Sequence, residues 1–130
     1  MRVSRARAQA LAEFAVTSVL LLSLVLGLID VALWLNAQNV VIAASQHAAA
    51  VASRGDGSPS DAEQAGWDLL RAGLGAGARD IDLVQVTIEP DTATADVRGT
   101  WLVAPLGPLV PVPLHATTTV VREQFRPGGR

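Results

Sequence analysis

The chain has 130 residues, half of them hydrophobic but only 4% aromatic, which is enough for one small domain plus at most one appended segment. With no cysteine it can form neither disulfides nor thiolate metal sites. The formal net charge is −2, and beyond Ser53 ten acids face seven arginines, which argues against a nucleic-acid surface built of clustered cations.

The charges are segregated. None lies between Glu13 and Asp30, and none between Asp30 and Arg54. Residues 14–29 form a mostly apolar run unbroken by charge, which residues 31–35 extend past Asp30. Together they make about 22 residues, against roughly 20 that a helix needs to cross the hydrocarbon core. Arg2, Arg5 and Arg7 precede the run and the next cation is Arg54, so the bias of cations toward the cytoplasm keeps the N-terminus inside and sends the bulk of the chain out. Trp34 falls where an aromatic anchor would meet the outer interface. A cleaved secretory signal is disfavoured: the apolar stretch is too long, Asp30 interrupts it, and Leu35-Asn36-Ala37 is a poor cleavage site. A plain signal anchor accounts for the hydrophobicity but not for Glu13, because an acid at the start of a membrane helix is costly.

The stretch Arg5-Ala6-Arg7-Ala8-Gln9-Ala10-Leu11-Ala12-Glu13-Phe14 resembles the processing site of type IV prepilins, most closely that of the TadE-like family of minor pilins. The resemblance implies a basic leader of residues 1–8 and a prepilin peptidase cutting on the cytoplasmic side between Ala8 and Gln9. Glu13 would then be the fifth residue of the mature chain. Leu26-Gly27-Leu28-Ile29-Asp30 matches the family's Gly-containing apolar stretch followed by Asp. Val31-Ala32 stand where an aromatic-and-Gly pair is expected, Ala8 where Gly is more usual, and Phe14 where major pilins of this class carry Tyr. These departures point away from the major pilin. The family further implies other pilins and minor pilins, an inner-membrane assembly platform and the lipid bilayer as partners. It places the chain in the cytoplasmic membrane or an extracellular filament, with a role in Tad-type pilus assembly, secretion or adhesion. The alternative is a generic single-pass, signal-anchored extracytoplasmic interaction domain.

The chemistry of Glu13 stands apart from the family. Cleavage would free an α-ammonium at Gln9, one helical turn away, and carboxylate and ammonium can neutralise each other within a chain or between neighbours. The first turn of a helix also favours negative charge. The plainer reading leaves Glu13 at headgroup level as a cap. Asp30 lies 17 residues further on, about 25 Å along an ideal helix and near the outer interface. It either contacts a partner helix or reaches headgroups and water.

Past Leu35 no Pro or Gly intervenes before Gly55. Leu33, Ala37, Val40, Val41, Ala44, Ala48 and Val51 recur at helical spacing, with Gln38, Asn39, Ser45 and Gln46 mostly between them. This predicts one helix over 9–53, about 68 Å long, with a transmembrane part over 9–35 and an amphipathic continuation over 36–54 that lies on a head of residues 55–126. His47 has no acid or second His at i±4 and reads as packing or surface rather than a ligand. Residues 55–60 are turn-rich, and Ser60 and Glu63 have capping-box spacing for a short helix ending at Gly73 or Gly75. The Gly-rich run 73–77 lacks a preceding strand and a following Lys-Ser/Thr, so it reads as a loop rather than a phosphate cradle.

Val84, Val86 and Ile88, then Ala93, Ala95, Val97, Trp101 and Val103, alternate with polar residues on either side of a Pro90-Asp91 turn, and read as a hairpin. Pro105, Pro108, Pro111 and Pro113 suggest a loop, residues 114–125 a last strand, and 127–130 a frayed tail. The fold expected is α+β and pilin-like: a long helix and a short one covering an antiparallel sheet of about three strands. No nucleophile–base pair or metal cluster is legible, and Asp80 and Asp82 read as the start of a strand, so no catalytic, cofactor-binding or metal residue is assigned and an enzyme is not expected.

Overall fold

Ala, Leu and Val dominate the first third of the chain, with one glycine and no proline to interrupt them. In the computed structural model this third is a single unbroken helix, α1 (Arg2–Ser53). The structure describes residues 2–103 and 109–122, with side chains from residue 5 onward. Expectations for Pro105, Pro108, the strand end at 123–125 and the tail at 127–130 lie outside the described residues.

A second helix, α2 (Pro59–Leu74), follows a short turn. Its N-cap is Ser58 rather than Ser60. Ser58 is extended, and its hydroxyl accepts from the Asp61 N–H at 3.1 Å while donating to the Asp61 carboxylate at 2.7 Å. Pro59 occupies the first helical position, where its missing N–H costs nothing and its fixed φ suits the helix. Glu63, expected in the capping box, instead accepts from the Val86 N–H at 3.2 Å. Gly75, at φ 55°, ends α2, a conformation that L side chains rarely adopt. The Gly-rich run then winds into a short 3₁₀ turn, Gly75–Asp80.

Three strands, β1 (Ile81–Ile88), β2 (Thr92–Val103) and β3 (Val110–Val121), form an antiparallel meander in the order β1-β2-β3. Val84 pairs with Val97, Val86 with Ala95, and Asp96 with Thr117, with a register shift between Ile81 and Leu83. The third strand starts earlier than its prolines suggested: Pro111 and Pro113 lie within it, opposite Leu102 and Thr100. β3 is an edge strand, and alternate N–H groups of an edge strand point away from its neighbour. Two prolines spaced by two fit on that outward side. The His115 carbonyl, of the same parity, also points outward and accepts from Gln38 Nε2 of α1 at 2.8 Å. The free edge is thus blunted by prolines and partly covered by the helix.

The upper half of α1 and all of α2 cover one face of the sheet. Ala37, Val41, Ala44, Leu70, Val97 and Leu114 are buried in the lower core, and Ala48, Ala52, Ala62, Ala93 and Ala95 in the upper. Small residues bring the layers close: a Cβ on Gly66 would lie 3.4 Å from Ala48 Cβ and 3.1 Å from Val84 Cγ1. Two positions depart from the expected stripe. Ser45 is fully buried, with its hydroxyl on the Ile42 carbonyl and on Thr118 Oγ1, both at 2.8 Å. Leu33 is exposed, and Trp34 takes the head-facing position beside it.

Candidate processing and assembly helix

Below the head, α1 packs on none of the described residues. Leu11, Phe14, Val19, Leu22, Leu24 and Leu28 are all well exposed, Phe14 at 71%. The most apolar 18-residue stretch has a mean hydropathy of 2.4, and none of it is buried. A core helix of a water-soluble domain would be covered by its own fold. A contiguous apolar surface of this length needs lipid or protein around it. α1 is long and apolar enough to cross a membrane.

Ala8 and Gln9 are exposed, and α1 runs without interruption through the bond between them. Glu13 stands one turn above Gln9, also exposed, with Phe14 beside it. Asp30 is half-buried. With Gly27, Val31 and Trp34 it lines an open apolar cavity of about 350 Å³, bounded on the sheet side by Val103 and Val112. Asp30 therefore lies on the face of α1 that carries the head. Trp34 is half-buried against the lower core, and its indole N–H is buried without a hydrogen-bond partner. The fold keeps Glu13 and Asp30 on one unbroken helix, flanking the apolar run 14–29. Among the described residues no group of three or more His, Asp or Glu side chains is placed to hold a metal ion.

One polar constellation was not legible as such. Pairing of β2 with β3 sets Asp96 opposite Thr117 and Arg98 opposite His115 on the sheet face away from the helices. The Asp96 carboxylate accepts from Arg98 Nε at 2.9 Å, from Thr117 Oγ1 at 3.1 Å, and meets His115 Nε2 at 3.0 Å. The hydrogen bond from Arg98 chiefly holds the Asp96 carboxyl below its usual range; slight burial opposes this, and Thr117, the Arg98 charge and His115 add to it. Only the Asp96–Arg98 alternation was visible in sequence, because the cross-strand register is a long-range fact.

A depressed carboxyl stabilises the fold above its unfolded value of about 3.9, and that contribution is lost as pH falls through the lower folded value. Arg98 is 61% exposed, so the network is worth less than about 1 kcal/mol. Asp96→Asn is expected to lower the denaturation midpoint slightly at neutral pH and to match wild type in strong acid. A difference that persisted or grew in acid would contradict the assignment.

A long exposed apolar helix that continues into a small α+β head fits a single-pass membrane anchor carrying its own domain. The family model described as TadE-like protein matches residues 8–50, from the expected processing bond through the membrane stretch into the head-bound half of α1. The resemblance read from residues 5–14 and 26–30 is thereby borne out: residues 8–50, about a third of the chain, are similar to the TadE-like family. No curated protein and no solved structure matches it.

Proposed function

We propose that this chain is a minor pilin or pseudopilin of a Tad-type pilus or secretion system. A prepilin peptidase removes residues 1–8 at the Ala8–Gln9 bond. The mature chain stays in the cytoplasmic membrane by α1, its N-terminus cytoplasmic and its head outside, and joins or primes a filament with other pilins on an inner-membrane platform. Adhesion or secretion is the output of that assembly. The observation that carries this reading is the exposed apolar lower half of α1, matched to the TadE-like family from Ala8 onward. Such a helix is at home in lipid, and equally in the centre of a bundle of its own kind. The Glu13 carboxylate, one turn from the new Gln9 α-ammonium, supplies a charge partner that a simple anchor has no use for.

The test is the intact mass of the protein recovered from cells with and without the peptidase. Peptidase-dependent loss of residues 1–8 is expected, with Gln9 as the new N-terminus. The leader retained in both strains would reduce the chain to a signal-anchored interaction domain. Protease added outside the cytoplasmic membrane should cut the head and spare the membrane-spanning lower half of α1.

A further inference from the structure

The stretch between Arg98 and His115 contains no charged residue, and its described residues Val103 and Val112 lie beside the apolar part of α1. β2 runs down the helix: Ala93 and Ala95 pack with Ala48 and Ala52, whereas Val103 reaches the cavity lined by Gly27, Asp30 and Trp34. Gly27 is eight residues below Leu35, about 12 Å down the axis and inside the apolar stretch. Val103 and Val112 are therefore level with the last turns of the membrane segment. Beside them Leu102, Leu109 and Val110 are exposed at 48%, 62% and 47%. The first charged residue on β2 above Val103 is Arg98, about 17 Å up the strand. One leaflet's polar layer is only about 5–8 Å thick.

From this juxtaposition we infer that the described base of the β2–β3 hairpin, Leu102, Val103, Leu109 and Val110, is a second membrane contact that dips into the outer leaflet beside α1. The occupant of this apolar surface is phospholipid, because Val103 and Val112 share a cavity with Gly27, Asp30 and Trp34 and so stand at the level of the apolar stretch of α1. Asp30 fixes the depth. A carboxylate at the same level belongs among headgroups, so the hairpin enters the interfacial layer and the first acyl carbons rather than the bilayer centre. Two attachment points would set the rotation and tilt of α1, and of the head packed on it, relative to the membrane plane, which a single helix leaves free. The inference rests on the reading that α1 spans the bilayer.

The absence of cysteine makes single-site labelling clean. The full chain, reconstituted in phosphatidylcholine–phosphatidylglycerol vesicles, would carry an environment-sensitive fluorophore at Leu109→Cys, at Thr87→Cys near the far end of the sheet, or at Leu24→Cys in mid-helix. Quenching by aqueous iodide is expected to be several-fold weaker at position 109 than at 87. Nitroxide lipids labelled near the headgroup should quench position 109, and this should persist when protein is diluted into excess lipid. Iodide access at 109 equal to that at 87, with position 24 quenched by mid-chain nitroxide, would overturn the hairpin contact alone. Protection at 109 that disappears on dilution would overturn it in favour of a second copy as the cover. Failure of mid-chain nitroxide to reach position 24 would overturn the spanning reading, and the hairpin contact with it.

Discussion

Replacing Ala48 with leucine is expected to loosen the head from the helix that carries it. Ala48 is fully buried where α1 passes α2, so close to Gly66 that a Cβ there would lie 3.4 Å from the Ala48 Cβ. Leucine adds an isopropyl group that has no void to enter. Overpacking of this kind costs about 1–3 kcal/mol and occasionally more, when backbones must move apart. The head is small, and stability near the low end of the usual 5–15 kcal/mol range is expected of it, so the fractional loss is large. Ala50, exposed on the opposite side of α1, provides the control: Ala50→Leu should fall within about 0.5 kcal/mol of wild type. The three tryptophans, Trp34, Trp67 and Trp101, all pack against the lower core and report its unfolding in detergent by fluorescence. Denaturant midpoints that coincide for wild type and Ala48→Leu would mean the helices are not closely apposed at Gly66. A drop for Ala48→Leu that spares insertion of α1 would show head docking to be separable from membrane anchoring.

Much of this architecture is local information. The absence of helix breakers from 28 to 54 and the two-residue alternation in 84–103 each fix an element type, and the register of the first hairpin follows from its short turn. The family resemblance is legible for the same reason, since the residues that carry it, 5–14 and 26–30, are consecutive. What escaped depends on the partner. Ser58 and Ser60 are both acceptable caps, and the choice turns on Pro59 and on the demand of β1 for Glu63 at the Val86 N–H. Pro111 and Pro113 read as breakers because only the assembled sheet tells that β3 is an edge. Their spacing of two, alternating with Val110, Val112 and Leu114, was the available signal. The inward turn of Trp34, and of Asp30 toward the head side, depends on where the sheet ends against α1, which no helical periodicity contains.

Loss of the Glu13 carboxylate is expected to have the largest functional effect, and to act on assembly rather than on insertion. Glu13 touches nothing in the head, so Glu13→Ala should leave the denaturation midpoint and the α1 anchor unchanged. On the proposed reading, cleavage at Ala8–Gln9 leaves an α-ammonium that must be neutralised once α1 is packed among neighbouring helices away from water. Stranding one member of a buried ion pair costs about 3–5 kcal/mol, on the order of a hundredfold or more in an assembly equilibrium. Pairing across subunits would also set how far one helix slides along the next, so the variant should lose axial register along with affinity. The readout is the share of chain recovered in sheared surface filaments, or co-isolated with partner pilins, against the membrane-bound pool. Glu13→Gln separates charge from shape: it keeps the length and a hydrogen-bonding end but cannot neutralise an ammonium, and should fail nearly as badly as alanine. Glu13→Asp keeps the charge on a shorter arm and should assemble in part. Wild-type incorporation of Glu13→Gln would show that the carboxylate serves only as a helix cap at headgroup level, and would remove the charge-pairing step from the assembly mechanism.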